Sequence, residues 1–437
     1  MTMRRRIAGA ALVASALVVG SALAQQPRPQ PAPRSSSGGG GSSGGGVSVD
    51  VTQLLSGLGS LWRRQPPYAE RRVLAWIDAG PDTPEIAREL AAIGRAELVA
   101  TYALPSAAAE LLVFETPRDL DAAIEALAAD PRVREAQRDY FHATVGDAAP
   151  LAPDWSDAEL RGRALRSLAS GAGVRIAVID GGVDRAHPAL ANAAIVERDL
   201  TGEGAAAEAH ATAVVGALVG NGAGGVAGLA PGAEVLALRA CIAPRPDAMP
   251  ARCLTSNLAR ALDAALAAGS RVINLSVAGP PDRIVARMVA AAVRAGALVV
   301  AAAGNGGPRA APAFPAALSP VLAVTAVDAR GRLYRKANRG EYVDLAAPGV
   351  ELRCLTTRAG SALASGTSFA APRVSAAAAL LLELDGALAA DRLAALLAET
   401  ARDAGPRGAD REFGAGIVDP CAAAARLTAG RVRCAGP

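Results

Sequence analysis

Four short segments of this 437-residue chain carry side chains that can do chemistry. Ile176-Ala177-Val178-Ile179-Asp180-Gly181-Gly182 ends an apolar, strand-like run on a carboxylate. The carboxyl edge of a buried strand is where open α/β sheets keep their sites. The plainer use of such an Asp is a strand-terminating turn. His210 opens the apolar, helix-like run that continues to Val219. The chain has three His. His142 falls at a junction between two folded regions, and His187 stands before Pro188 as the alternative base. Gly366-Thr367-Ser368-Phe369-Ala370-Ala371-Pro372 puts a Ser at a turn ahead of an apolar run to Leu382. At a helix N-terminus its own N–H and the dipole face a developing oxyanion, although a Ser there can also serve as a plain cap. Asn305 lies between Gly304 and Gly306 after the apolar Val299–Ala303. It either makes a turn or presents its side-chain amide as a donor. A carboxylate, an imidazole and a hydroxyl, with an amide donor beside them, are the parts of an activated nucleophile and an oxyanion site.

These residues need a scaffold that brings distant strand ends together. From Trp155 to about Thr428 strands and helices alternate. Val174–Asp180, Glu234–Arg239, Arg271–Val277, Ala297–Ala303, Val321–Val327 and Tyr342–Ala346 read as strands, with helical spacing over Asn257–Ala268 and Ile284–Ala295. The strands are near-continuous apolar runs, as in a parallel sheet covered on both faces. The fold class expected for 150–428 is therefore α/β, a doubly wound and mostly parallel sheet. Residues 71–145 form a separate unit. Strands at Val73–Ile77, Glu97–Tyr102, Ala109–Phe114 and Val133–Phe141, with helices at Thr83–Ile93 and Thr116–Ala129, give the order βαββαβ. That is the split βαβ, or ferredoxin-like, α+β pattern. No catalytic constellation sits in it, so a structural or chaperoning role is expected.

Residues 1–24 read as a secretory signal peptide: Arg4-Arg5-Arg6, an apolar run from Ile7 to Gly20, then Ala22-Leu23-Ala24. The run is short for a membrane span of about 20 residues. Residues 25–70 are a Pro-, Gly- and Ser-rich linker and lead-in that cannot bury a core, and 429–437 are a C-terminal tail. The protein is expected to be exported, periplasmic or extracellular, with no membrane anchor after signal cleavage. With 51% hydrophobic residues the chain as a whole is not disordered. Aromatics at 3% and a net charge of +4 with no basic stripe argue against nucleic acid as a partner.

Taken together, Asp180, His210, Asn305 and Ser368 resemble the subtilisin-like serine protease (subtilase) family, whose triad runs in the order Asp, His, Ser. The resemblance covers about 170–420. Gly228-Leu229-Ala230-Pro231, Ala347-Pro348-Gly349 and Ile273-Asn274-Leu275-Ser276-Val277-Ala278-Gly279 are similar to connecting segments of that family. The resemblance implies a serine endopeptidase made as a zymogen, with Asp180, His210 and Ser368 catalytic and Asn305 in the oxyanion hole. It implies Ser276, Val277, Ala278, Gly279 and Gly304 at the substrate, and 71–145 as an inhibitory propeptide removed by a cut between about His142 and Trp155. The expected partners are polypeptide substrates and the chain's own propeptide, and the expected state is a monomer. No metal or organic cofactor is required; structural calcium occurs in the family, but no Asp-rich loop here indicates it. Ala211 stands where the family usually has Gly, Val215 where Ala is common, and Ala278 where Gly is typical, so a substrate preference does not transfer. Two other readings use the same parts: a peptide-binding homologue with weak catalysis, and an esterase or amidase.

Five Cys remain. Local pairing of Cys241 with Cys253 and of Cys421 with Cys434 leaves Cys354 over, in an apolar strand.

Overall fold

The computed structural model describes residues 66–117, 119–144, 146–149, 155–431 and 434. The expected signal peptide and most of the linker lie outside the described residues.

The N-terminal unit follows the βαββαβ order. Its elements are β1 (Tyr68–Asp78), α1 (Thr83–Gly94), β2 (Glu97–Leu104), β3 (Ala109–Glu115), α2 (Leu120–Ala128) and β4 (Val133–Thr144). The strands stand in the order β2-β3-β1-β4, all antiparallel. Residues alternate between two apolar faces. Val73, Ala75 and Ile77 pack with Leu90, Phe114 and Leu127 under the two helices. Leu74, Trp76, Leu111 and Val113 face the other way, into the core shared with the larger unit. A strand buried on both faces explains why β1 reads as a continuous apolar run. It begins at Tyr68, so the last residues of the expected lead-in belong to the sheet. β4 runs on to Thr144, three residues past the expected end, because its extension pairs with new partners.

After β5 (Asp147–Ala149), the larger unit is built on seven parallel strands. These include β6 (Arg175–Asp180), β7 (Ile195–Asp199), β8 (Glu234–Arg239), β11 (Val272–Leu275), β13 (Leu298–Ala302), β14 (Leu322–Val327) and β15 (Leu345–Pro348). Their order is β15-β14-β13-β11-β6-β8-β7. The order reverses beside β6, and that crevice is where the carboxyl ends open into a site. β7 escaped the sequence reading because Glu197 and Asp199 interrupt its apolar pattern, as suits an edge strand. The expected strand 271–277 divides at Ser276 into β11 and β12 (Val277–Ala278). The last expected strand lies at 345–348 rather than 342–346.

The helices that matter here are α3 (Ala209–Val219), α4 (Thr255–Ala267), α5 (Arg283–Arg294) and α6 (Thr367–Leu384); α7 (Ala390–Glu399) and α8 (Pro420–Leu427) close the end. Both α3 and α6 are apolar all round and buried throughout or nearly so, crossing each other in the core. Cys241 and Cys253 are disulfide-bonded, joining β9 (Cys241–Ile242) to β10 (Arg252–Leu254) directly across their register. Cys421 and Cys434 are also bonded, which ties the C-terminal tail to α8. Cys354 is buried in β16 (Leu352–Leu355), outside both disulfides.

Candidate active site

Asp180 is the last residue of β6, at the carboxyl edge, and 1% exposed. Its Oδ1 accepts the Gly181 N–H at 2.7 Å. His210 sits in the first turn of α3, and its Nδ1 lies 2.9 Å from both carboxylate oxygens of Asp180. A carboxylate only accepts, so Nδ1 carries the proton and Nε2 is left with a lone pair. That Nε2 is buried and has no hydrogen-bond partner. Behind the pair, Glu208 and Arg239 form a buried ion pair at 2.8 Å. Burial pushes the Glu208 carboxyl up, and Asp180 adds to that; Arg239 opposes it.

Ser368 is the second residue of α6 and fully buried. In this state its hydroxyl donates to the Ser276 carbonyl at 2.9 Å, rather than to His210. Such bonds often form only once substrate is bound. Pro372, four residues on, has no N–H to close the helical bond to the Ser368 carbonyl. Ser276 supplies the donor instead: its Oγ reaches the Ser368 carbonyl at 2.9 Å. Asn274 Nδ2 donates to Ser276 Oγ at 3.0 Å, and Ser375 Oγ donates to Asn274 Oδ1 at 2.9 Å. A buried polar chain thus locks the start of α6 to β11. Phe369 packs on the imidazole of His210, ring centroids 5.5 Å apart.

Asn305 follows β13. Its Oδ1 accepts from the Thr367 N–H at 3.1 Å and the Thr367 hydroxyl at 3.0 Å. Two donors on one side fix the amide orientation. Its Nδ2 is then a buried donor with no partner. An orphaned donor costs about 1–3 kcal/mol, so it persists where something else repays it. Gly304, at φ +105°, accepts no side chain, since a Cβ there would stand 2.8 Å from Asn338 Nδ2 and 2.9 Å from Ala313 Cβ. Its N–H donates to Thr367 Oγ1 at 3.1 Å.

The residues expected at the substrate already pair with a strand of this chain. Val277 and Ala278 pair antiparallel with Thr144 and Ala143 at the end of β4. On its other edge β4 pairs with β10, Ala143 opposite Arg252 and His142 opposite Cys253, and the Thr144 N–H reaches the Ala251 carbonyl at 2.9 Å. Beyond, β5 pairs with β17 (Ser361–Ser365), Asp147 opposite Ser365, three residues before Ser368. Between them, Gly146 stands against Phe369 and His210: a Cβ there would be 2.7 Å from the Phe369 ring and 3.7 Å from His210 Cδ2. His187 is elsewhere. Its Nδ1 accepts from the Ala189 N–H and its Nε2 meets the Gly360 carbonyl, both at 3.0 Å, so it caps a turn.

A model of the subtilase family matches residues 171–416, more than half of the chain. The chain belongs to the subtilase family, a family of serine-type endopeptidases. It is 38% identical over 216 residues to a thermophilic serine proteinase of Bacillus sp. (strain AK1), covering 48% of this chain and 52% of that protein. It is 31% identical to an alkaline protease of Alkalihalobacillus alcalophilus, covering 72% and 78%. In fold it is similar to fervidolysin from Fervidobacterium pennivorans, a keratinolytic enzyme related to subtilisin, with a TM-score of 0.70 at 22% identity over 83% of this chain and 62% of that one. The chain thus spans about half the length of the first relative and under two-thirds of the solved structure.

In this subtilase the sequence reading missed three site components. Thr367 was legible as the neighbour of Ser368, yet its grip on Asn305 needs the tertiary structure. Phe369 was visible only as part of an apolar run. The β10 edge carried no signal except Cys253. The departures at Ala211 and Val215 are absorbed in the core, where both are fully buried.

Proposed function

We propose that this subtilase is an exported serine endopeptidase made as a zymogen, and that it matures by cutting its own Val145–Gly146 bond. The observation that carries this is the course of the chain from β4 to β5. It runs antiparallel to Val277–Ala278, passes His210 at Gly146 and continues beside Ser365. That is the path of a bound peptide. Val145 itself lies outside the described residues. Gly146 is against the imidazole, so its nitrogen is the leaving amine that His210 protonates, which singles out the bond on its N-terminal side.

In this reading Ser368 Oγ attacks the carbonyl carbon of Val145 while Nε2 of His210 takes the hydroxyl proton. Asp180 holds the imidazole in its tautomer and stabilises the imidazolium. The unpartnered Nδ2 of Asn305 and the Ser368 N–H receive the oxyanion. The C–N bond breaks, the His210 proton passes to the Gly146 nitrogen, and water releases the acyl-enzyme by the same steps in reverse. None of these steps calls for a metal or organic cofactor. Residues 71–145 act as intramolecular inhibitor because β4 fills the edge that substrates use. Polypeptides then bind as β4 does, by adding a strand between β12 and β10.

The test is expression of the full chain beside Ser368→Ala. The wild-type chain yields a new N-terminus at Gly146 and cleaves casein; the variant stays full length. Identical bands and equal casein cleavage would refute the proposal. A mature start well outside 142–155 would refute the boundary.

A further inference from the structure

Asp282 meets the side chain of His142. It precedes α5, caps it by accepting the Val285 N–H at 2.9 Å, and is 4% exposed. Its four hydrogen-bond partners divide into two pairs. Val285 N–H and the Thr255 hydroxyl come from the larger unit. Gln137 Nε2, at 3.1 Å, and His142 Nε2, at 3.0 Å, come from β4. When β4 leaves, the second pair goes with it, and a carboxylate with half its partners is left at the bottom of the vacated space.

His142 is the fourth residue back from the bond proposed above: Val145, Thr144, Ala143, His142. Its side chain is wholly buried, with Asp282 at its tip and Gly279 along its flank. A Cβ at Gly279 would fall 2.2 Å from His142 Nδ1. That position must therefore remain glycine for any large side chain to enter. With β4 docked, Arg283, next along the chain, is mostly exposed and reaches Glu135 of β4. Arg287 also faces Glu135.

We infer that Asp282 makes this enzyme select a cationic side chain (His⁺, Lys or Arg) at the fourth residue before the cleaved bond. The inference rests on the proteolytic reading and adds a preference to it. With β4 docked, burial pushes the Asp282 carboxyl up, and the pull of His142, Thr255 and the Val285 N–H outweighs that push, so the carboxyl lies below its ordinary value. His142 leaves with β4, and a cation from a substrate takes over its place against the buried carboxyl. A cation entering from a substrate makes a charge-assisted hydrogen bond in a water-poor site, whereas an apolar side chain leaves the carboxylate short of partners.

The test uses enzyme matured from the full chain and peptides X-Ala-Thr-Val-Gly-Asp, copied from residues 142–147, with X as Arg, Lys, His, Leu or Glu. Arg and Lys are expected to exceed Leu in kcat/KM by at least about tenfold, the range of one charge-assisted hydrogen bond, with Glu lowest. The His peptide is favoured near pH 5.5 and loses its advantage as pH rises through about 6.5, the ordinary histidine value, while Lys does not. Asp282→Asn keeps the helix cap; in it the Lys-to-Leu ratio falls to within about twofold of unity. In the full chain, His142→Leu slows self-cleavage about tenfold and His142→Arg does not. Equal turnover of Lys, Leu and Glu peptides, or a Lys preference that survives Asp282→Asn, overturns the inference and leaves proteolysis intact. Absence of Ser368-dependent turnover on every peptide overturns the proteolytic reading, and the inference with it.

Discussion

Replacing Asn305 by Asp changes one group and keeps the rest. Oδ1 continues to accept from the Thr367 N–H and hydroxyl, at 3.1 and 3.0 Å, so the loop stays anchored. What disappears is Nδ2, a buried donor that binds nothing in the resting site. The ground state therefore loses no hydrogen bond, and the loss falls on the transition state, where an oxyanion forms. Removing one such donor costs about 10²–10³ in kcat, or roughly 2.7–4 kcal/mol. Self-cleavage of the full chain is the cleanest assay, because it is a single turnover with the peptide already seated. The rate of Val145–Gly146 cleavage, followed on a gel, is expected to fall by that factor against wild type. A peptide assay of processed enzyme should lose kcat with KM nearly constant. Acidification should recover part of the rate, since a protonated carboxyl can donate again. A fall of less than about fivefold, or one carried by KM alone, would show that Asn305 is only a turn residue.

Two further outcomes follow from buried groups. Burial pushes the Asp139 carboxyl from the ordinary 3.8 up to about 6, against the pull of the Ser256 N–H and hydroxyl that it accepts from. The docked state holds that proton more tightly than the released one. Its contribution to docking is full below 3.8 and is lost as pH rises through 6, a change of about 3 kcal/mol or roughly a hundredfold. Release of the cleaved N-terminal unit, followed by the onset of peptide cleavage, should therefore speed up between about pH 4 and 6. Asp139→Asn should flatten that difference, and an unaltered pH profile in the variant would exclude Asp139 as its source. Ser276→Ala removes the hydroxyl donor to the Ser368 carbonyl, and Pro372 has no N–H to take its place, at about 0.5–1.5 kcal/mol. Adding Pro372→Ala restores the helical N–H but not the acceptor of Asn274 Nδ2, so thermal unfolding of the double variant should recover part of the loss; additive destabilisation would disprove the substitution of donors.

The candidate residues could be picked out because each sits inside a local pattern. An apolar run ending on Asp180, a helix opening on His210 and a helix opening on Ser368 are short-range signals, set by burial and by helix ends. The sheet was legible for the same reason, wherever its strands are buried on both faces. β7 was not, since an edge strand with Glu197 and Asp199 carries a broken pattern. β10 and β12 are short and take their strand character from β4, far back along the chain, which no local window contains.

Sequence by itself determined the βαββαβ unit, the parallel sheet and the order of the candidate residues, because backbone geometry and apolar periodicity act over neighbouring positions. Only the tertiary structure decided what those residues meet. The tautomer of His210 depends on Asp180, thirty residues away. The orientation of Asn305 depends on Thr367, and the partners of Asp282 arrive from β4. Hydrogen bonds and desolvation are set by distance in space, and the chain fixes those distances only after it has folded.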